Sequence, residues 1–285
     1  MRGSRLWLVM VLIAAFAAAS IAAGCGDDDD DGGDATTGGE VSTADFELVE
    51  EGVLTVGTDT PFPPFEIGQP PDISGYDIDV MDGIAEQLGL ETEYIDTGFG
   101  TIFRDVANGQ FDTVAAASTI LRSREKTVDF TDPYYEAQQA LLVTDDSDIA
   151  SVEDLSGAIV GTQDGTTGET YANDETDAGE VRGFPEGPNA VSALRTGQVD
   201  AVIIDQPVAV DAVEKTGGVE IVEEIPTEEL YGFAVAPDND ALREAMNEAL
   251  ATLKEDGTIE ALYEEYFNST PPDSVLSGTN ELLSE

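Results

Sequence analysis

NGQFDTVAAAS at 108–118 and TGQVDAVIID at 196–205 are two renderings of one phrase. In both, a short helical stretch ends at Gly, then Gln, an apolar residue and Asp lead into an apolar strand. A second pair stands upstream at the same order: LTVGT at 54–58 and AIVGT at 158–162, each a strand-like run closing on Val-Gly-Thr. Strand, helix, Gly-Gln-x-Asp and strand thus occur twice. Such alternation predicts an α/β fold of two mainly parallel sheets flanked by helices. The body from about Phe46 to Asn268 exceeds the commonest single-domain size, which agrees with two lobes.

The remaining pattern supports this. Between Asp77 and Leu88 the residues Val80, Met81, Ile84, Ala85 and Leu88 share one helical face, closed by Gly89. Ser151 and Asp154 have the spacing of a capping box. Leu242, Ala245, Met246, Ala249, Leu250 and Leu253 form a stripe that stops at Gly257. A second stripe of Ile259, Leu262, Tyr263, Tyr266 and Phe267 ends before Pro271-Pro272. From Ser269 to Glu285 a loose tail is expected.

The N-terminus belongs to targeting, not to the fold. Arg2 and Arg5 precede an apolar run, Leu6 to Ala19, and small residues follow up to Cys25; residues 1–24 read as a signal peptide. The chain's single cysteine follows Ala22-Ala23-Gly24, which resembles a lipobox whose Cys becomes lipidated; an ordinary secreted protein is the alternative. Residues 25–45, with their run of five aspartates, have too little apolar surface to fold and read as an acidic tether. One cysteine allows no intrachain disulfide. Asp27, Asp29, Asp31 and Gly32 match the start of a calcium loop, but its twelfth position is Gly38, so no metal is expected.

Composition narrows the chemistry. Without Arg2 and Arg5 the chain carries 9 basic against 60 acidic residues, a formal charge of −51. Such a surface argues against nucleic acid as a partner and suggests a high-salt habitat. The absence of histidine removes Ser-His-Asp and Cys-His catalysis and His-based zinc sites. GTQDGTTG at 161–168 is glycine-rich but lacks the Lys that a nucleotide phosphate would want. No cofactor is expected, and catalysis is not favoured.

Against this background, Arg122, Arg124 and Lys126 crowd into STILRSREKTVDFTDPYY, 118–135. Surface ion pairing is the plain explanation; an arginine that meets an incoming anion is the other. The blocks VLTVGTDTPFPPFE, GYDIDVMDGIAEQLGL, TILRSREKTVDFTDPYY, DLSGAIVGTQDGTTGETYA, VDAVIIDQPVA and LYGFAVAPDNDALREAMNEAL decide between them. In this order they resemble the extracellular solute-binding proteins that serve ABC importers of polar amino acids, over nearly all of 48–268.

The resemblance implies a two-lobe clamp of the periplasmic-binding-protein kind. Lobe 1 would comprise 46–134 plus 231–268 and lobe 2 139–226, joined by hinge strands at 135–139 and 227–231. By the same resemblance Arg124 grips the α-carboxylate of a free amino acid, for which a guanidinium fork is suited. Thr119 would add its hydroxyl and backbone N–H, and Ala117 stands where the family commonly has Gly. Asp205 would hold the ammonium; the plain alternative is a helix N-cap before Pro207. Gln163, Thr166 and Thr167 would touch ligand from lobe 2. Phe62 and Phe99 would sandwich the ligand's side chain, and Asp59 would lie near it. Phe65 reads as packing, and Arg122 and Lys126 as surface ion-pair partners.

The expected function is therefore extracytoplasmic binding of an amino acid and its delivery to the permease of an ABC importer, by a monomer held on the outer face of the cell membrane through lipidated Cys25. A dehydratase of a cyclohexadienyl acid on the same scaffold is the runner-up, with Asp59 or Glu66 as its general acid. A ligand-sensing module is the third reading.

Overall fold

The computed structural model describes residues 46–280; the signal peptide, the tether and Cys25 lie outside them. LTVGT falls in β1 (Val53–Thr58). A small hairpin follows, β2 (Ile67–Gln69) and β3 (Asp72–Ser74). Then come α1 (Tyr76–Leu88), β4 (Glu91–Asp96), α2 (Phe99–Ala107), β5 (Thr113–Val114) and β6 (Asp129–Phe130). The chain leaves on β7 (Tyr135–Thr144), and AIVGT falls in β8 (Ile159–Gln163). Next are α3 (Thr167–Asp174), β9 (Glu180–Phe184), α4 (Gly187–Arg195), β10 (Ala201–Asp205), α5 (Gln206–Thr216) and β11 (Val219–Tyr231). The chain returns through β12 (Ala234–Val235), α6 (Asp240–Glu255), α7 (Thr258–Phe267) and the short α8 (Asp273–Leu276).

These strands make two five-stranded sheets, β4-β1-β5-β12-β6 and β11-β7-β10-β8-β9. Each is mixed. In the first, β4, β1 and β5 run parallel and β12 and β6 add antiparallel steps. In the second, β9, β8 and β10 are parallel and β7 and β11 antiparallel. The sequence repeat is thus a structural one: β1 and β8 hold the middle of each parallel trio, β5 and β10 one flank. β7 and β11 are the long strands, and they pair from Val219–Thr144 to Tyr231–Tyr135.

Local sequence explains the helices. α1 buries the anticipated face and stops on Gly89, whose positive φ provides a left-handed cap. Its entry needs Gly75, because a Cβ there would sit 2.1 Å from the carbonyl oxygen of Phe65. The Ser151–Asp154 capping box is present on a 3-10 turn, Val152–Asp154. α6 buries all six residues of its stripe, and α7 buries Ile259 and Tyr263. Phe65 is fully buried, with ring centroids 5.0 Å from Tyr135 and 5.5 Å from Tyr231.

One expectation is corrected. Residues 269–280 are not a loose tail. Val275 on α8 is fully buried, and Asn280 sends its backbone N–H to Asp132 and its amide to Glu125, both at 2.8 Å. α7 stops at Phe267 on a left-handed Asn268, before Pro271-Pro272 as read, but the segment beyond carries an apolar anchor that its polar composition obscured.

Candidate functional site

All ten residues anticipated as ligand contacts line one narrow cleft: Asp59, Phe62, Phe99, Ala117, Thr119, Arg124, Gln163, Thr166, Thr167 and Asp205, joined by Ala116. They come from opposite sheets because β1 and β8, like β5 and β10, end at the same side of their respective parallel trios. Ligand clefts of open α/β sheets lie outside the carboxyl ends of the strands. The walls meet closely, leaving room for about one water-sized sphere, about 10 Å³.

Arg124 opens the 3-10 turn Arg124–Lys126. Its Nη1 donates to the Thr119 carbonyl at 2.8 Å and its Nη2 to the Gly165 carbonyl at 3.2 Å. The guanidinium carbon lies 5.2 Å from the Phe99 ring centroid and 4.8 Å from that of Phe103. Aromatic faces hold a cation favourably. Burial lowers the Arg124 pKa to about 10, against the opposing pull of Glu229 and Asp205; the group remains a cation at neutral pH. Arg122 and Lys126 are exposed.

Asp205 stands at the N-cap of α5, yet its side chain makes no capping bond. It faces the cleft, where it accepts hydrogen bonds from Gln139 Nε2 and the Tyr231 hydroxyl. The antiparallel register that sets Asp205 opposite Gln139 accounts for the first. Burial, then the charge of Glu229, raises its pKa to about 7, and the Tyr231 and Gln139 bonds pull the other way. The N-cap alternative therefore fails for this side chain.

Asp59 follows β1 and accepts from Gln163 Nε2 at 2.6 Å. Burial raises its pKa to about 6, opposed by the Gln163 bond. Thr166 caps α3, its hydroxyl accepting from the Glu169 N–H at 3.2 Å. Phe62 and Phe99 are each 7% exposed. Ala117 holds a positive φ of 43°, a backbone region that favours Gly. Its N–H is spent on Asp77 Oδ2 at 2.8 Å, so only its carbonyl remains for the cleft.

Sequence reading missed three residues. Phe103 supports Arg124 from one turn along α2. Gln139 reaches Asp205, and Gly168 makes room for it, since a Cβ there would stand 2.8 Å from Gln139 Oε1. Glu229 is 7% exposed and accepts from Thr119, Thr167, Thr227 and Gln139 at 2.6–3.0 Å. Glu66, a nominee for general acid, is fully buried and does not line the cleft.

Two mixed sheets facing one cleft, with a held guanidinium on one side and a carboxylate on the other, define a two-lobed periplasmic-binding-protein fold. The chain belongs to the bacterial extracellular solute-binding proteins, family 3, whose family model matches residues 54–269. Among curated proteins it is 30% identical over 220 residues to the ABC transporter arginine-binding protein 1 of Escherichia coli (strain K12), covering 75% of this chain and 90% of that one. Among solved structures it resembles an ancestral arginine-binding protein bound to arginine, with TM-score 0.72, 39% identity, and coverage of 76% of this chain and 98% of the other. It also resembles the ancestral amino acid-binding protein AncCDT-1, a precursor of cyclohexadienyl dehydratase, with TM-score 0.71, 35% identity, and coverage of 76% and 96%.

Proposed function

We propose that this chain binds a free amino acid outside the cytoplasm and delivers it to an ABC importer. The observation that carries this reading is the pairing of Arg124 with Asp205 across one cleft between aromatic walls. A zwitterion matches that pair: its carboxylate takes the Arg124 fork and the Thr119 backbone N–H, and its ammonium takes Asp205. Phe62 and Phe99 flank its side chain, Gln163, Thr166 and Thr167 meet it from the second lobe, and Asp59 favours an amide or a cation there. Relatives named for arginine binding support a polar ligand.

Lobe 1 spans 46–134 plus 231–268 and lobe 2 139–226, with hinges at 135–139 and 227–231. Opening about the hinges is needed to admit a ligand, since the Asp59–Gln163 and Arg124–Gly165 bonds close the cleft. Packing of 269–280 against Asp132 and Glu125 supports adding this segment to lobe 1. Lipidation of Cys25 would hold the monomer on the outer face of the membrane beside its permease. The acidic surface suits a high-salt habitat. A dehydratase needs an acid poised over the ligand; Glu66 is sealed away and Asp59 is engaged with Gln163, which favours binding over catalysis.

A thermal-shift screen against the twenty amino acids tests the reading. At a hundredfold excess over its dissociation constant, a true ligand adds about 2.7 kcal/mol of stability. A flat screen would reject amino-acid binding.

A further inference from the structure

Glu229 sits where the return strand β11 is interrupted. The register of β11 against β7 shifts between Ile225 and Glu229, and Glu228 adopts a φ of 51°. Bulges of this kind re-aim side chains beside functional sites, and a positive φ at a non-glycine residue persists only where its surroundings demand it. Here the result is a carboxylate turned inward, buried, and hydrogen-bonded to both sides of the cleft. Its Oε2 accepts the hydroxyl of Thr119 at 2.6 Å and that of Thr167 at 2.7 Å. Its Oε1 accepts from Thr227 at 2.8 Å and from Gln139 Nε2 at 3.0 Å.

An ionised carboxylate accepts hydrogen bonds and donates none, whereas a hydroxyl has one proton and two lone pairs. Both threonine protons are therefore committed to Glu229. What Thr119 and Thr167 present elsewhere is acceptor lone pairs, not donors, and one lone pair of Thr167 already accepts from Gln139 Nε2 at 3.3 Å. Gln139, which bonds Glu229 and Asp205 together, ties this arrangement to the carboxylate on β10.

We propose that Glu229 is a positioning residue that fixes the polarity of the cleft, making the oxygens of Thr119 and Thr167 acceptors that join Asp205 in a cage for an ammonium. This rests on the amino-acid reading above and refines it. The Thr119 hydroxyl, expected from sequence at the carboxylate, serves the ammonium end, the Thr167 hydroxyl turns to the ammonium and not to the side chain, and the carboxylate is left to Arg124 and backbone N–H groups. With Gln139 donating at the Oε1 position, a glutamine at 229 sets its NH₂ at the Oε2 position, where it donates to the Thr119 and Thr167 oxygens and frees their protons to turn into the cleft.

The test compares L-arginine with 5-guanidinopentanoic acid, the same molecule without its α-ammonium, by calorimetry on wild type and Glu229→Gln. If the screen selects another amino acid, that amino acid and its deaminated acid replace the pair. Glu229→Gln should weaken the amino acid on the order of tenfold and leave the deaminated acid within about twofold, because only the former uses the acceptor cage. A purely structural or hinge role would weaken both alike, and equal losses or no loss overturn the assignment. Thr167→Val, with Glu229 intact, guards against a misfolded variant; it should show the same selective loss, and adding Glu229→Gln should cost less than it does alone. Additive losses reject the coupling. A wild type that takes none of the twenty amino acids rejects the proposed function itself, and this assignment with it.

Discussion

Acidification should detach the ligand without unfolding the protein. Asp205 must be ionised to hold an ammonium, yet burial and the neighbouring charge of Glu229 hold its pKa at about 7 in the unliganded cleft. Below that value each pH unit costs about 1.4 kcal/mol to remove the proton before binding. At pH 5 the dissociation constant of a neutral-side-chain amino acid should be about a hundredfold larger than at pH 8, since a free amino acid keeps both charges across this window. A cationic side chain resting on Asp59, with its pKa near 6, would need a second proton removed and so give a steeper slope below pH 6. The sign for stability is opposite. A carboxyl whose folded pKa is raised binds its proton more tightly when folded, so its contribution falls as pH rises from about 4 to about 7 and is level above that. Binding and unliganded stability should therefore move in opposite directions between pH 5 and 7. Calorimetry in buffers of different ionisation heat at pH 6 should also register close to one proton released per amino acid bound. A dissociation constant flat from pH 8 to pH 5, with no proton release, would refute the coupling. So would an unchanged slope in Asp205→Asn.

Four other outcomes are expected. Arg124→Ala and Arg124→Lys should each weaken amino-acid binding by about two decades or more, since a buried carboxylate loses its fork, while Lys126→Ala should change it by less than about 1 kcal/mol; titration of the three variants decides. Val275→Ala should lower Tm by several degrees, the cost of roughly 2 kcal/mol for a buried truncation, whereas a dispensable tail would show no change. Molar salt should raise Tm by screening self-repulsion at the formal charge of −51 left without Arg2 and Arg5; an equal Tm at low and high salt would count against it. Cys25→Ser should release the protein from the membrane fraction, and retention as tight as wild type would reject the lipid anchor.

The fold was legible because its repeat is carried by residues that the backbone requires. Gly109 and Gly197 both hold positive φ after a helix, and Asp112 and Asp200 both accept backbone N–H groups at the start of the next strand, from Thr55 and Ile159. The same two phrases therefore had to build the same two turns. What periodicity could not reveal was the antiparallel half of each sheet. In the first sheet β6 and β12 are two residues long, too short for an alternation to be counted; in the second, β7 and β11 are long, but which way they run against β10 is set by pairing and not by period. The packed segment at 269–280 was hidden for a related reason: buried Pro271, Val275 and Asn280 and the Ser274–Glu136 bond anchor it, and they form no periodic pattern.

The cleft divides the same way. Arg124 stood out as a scarce charge in an acidic chain, and Asp205 followed from the end of an apolar strand, although only its bonds to Gln139 and Tyr231 separate it from a helix cap. Glu229 had no such contrast. It is one of 60 acidic residues, in a run where Glu recurs at 223, 224, 228 and 229, and alternation along a regular strand would leave its direction to register alone. The break after Ile225 decides which of these carboxylates turns inward. A two-residue change of pairing is a property of how β11 meets β7, not of either strand alone. The residues that read as ligand contacts are therefore those set by local punctuation, whereas the one that orders their protons is set by a long-range strand pairing, Glu229 opposite Ala137.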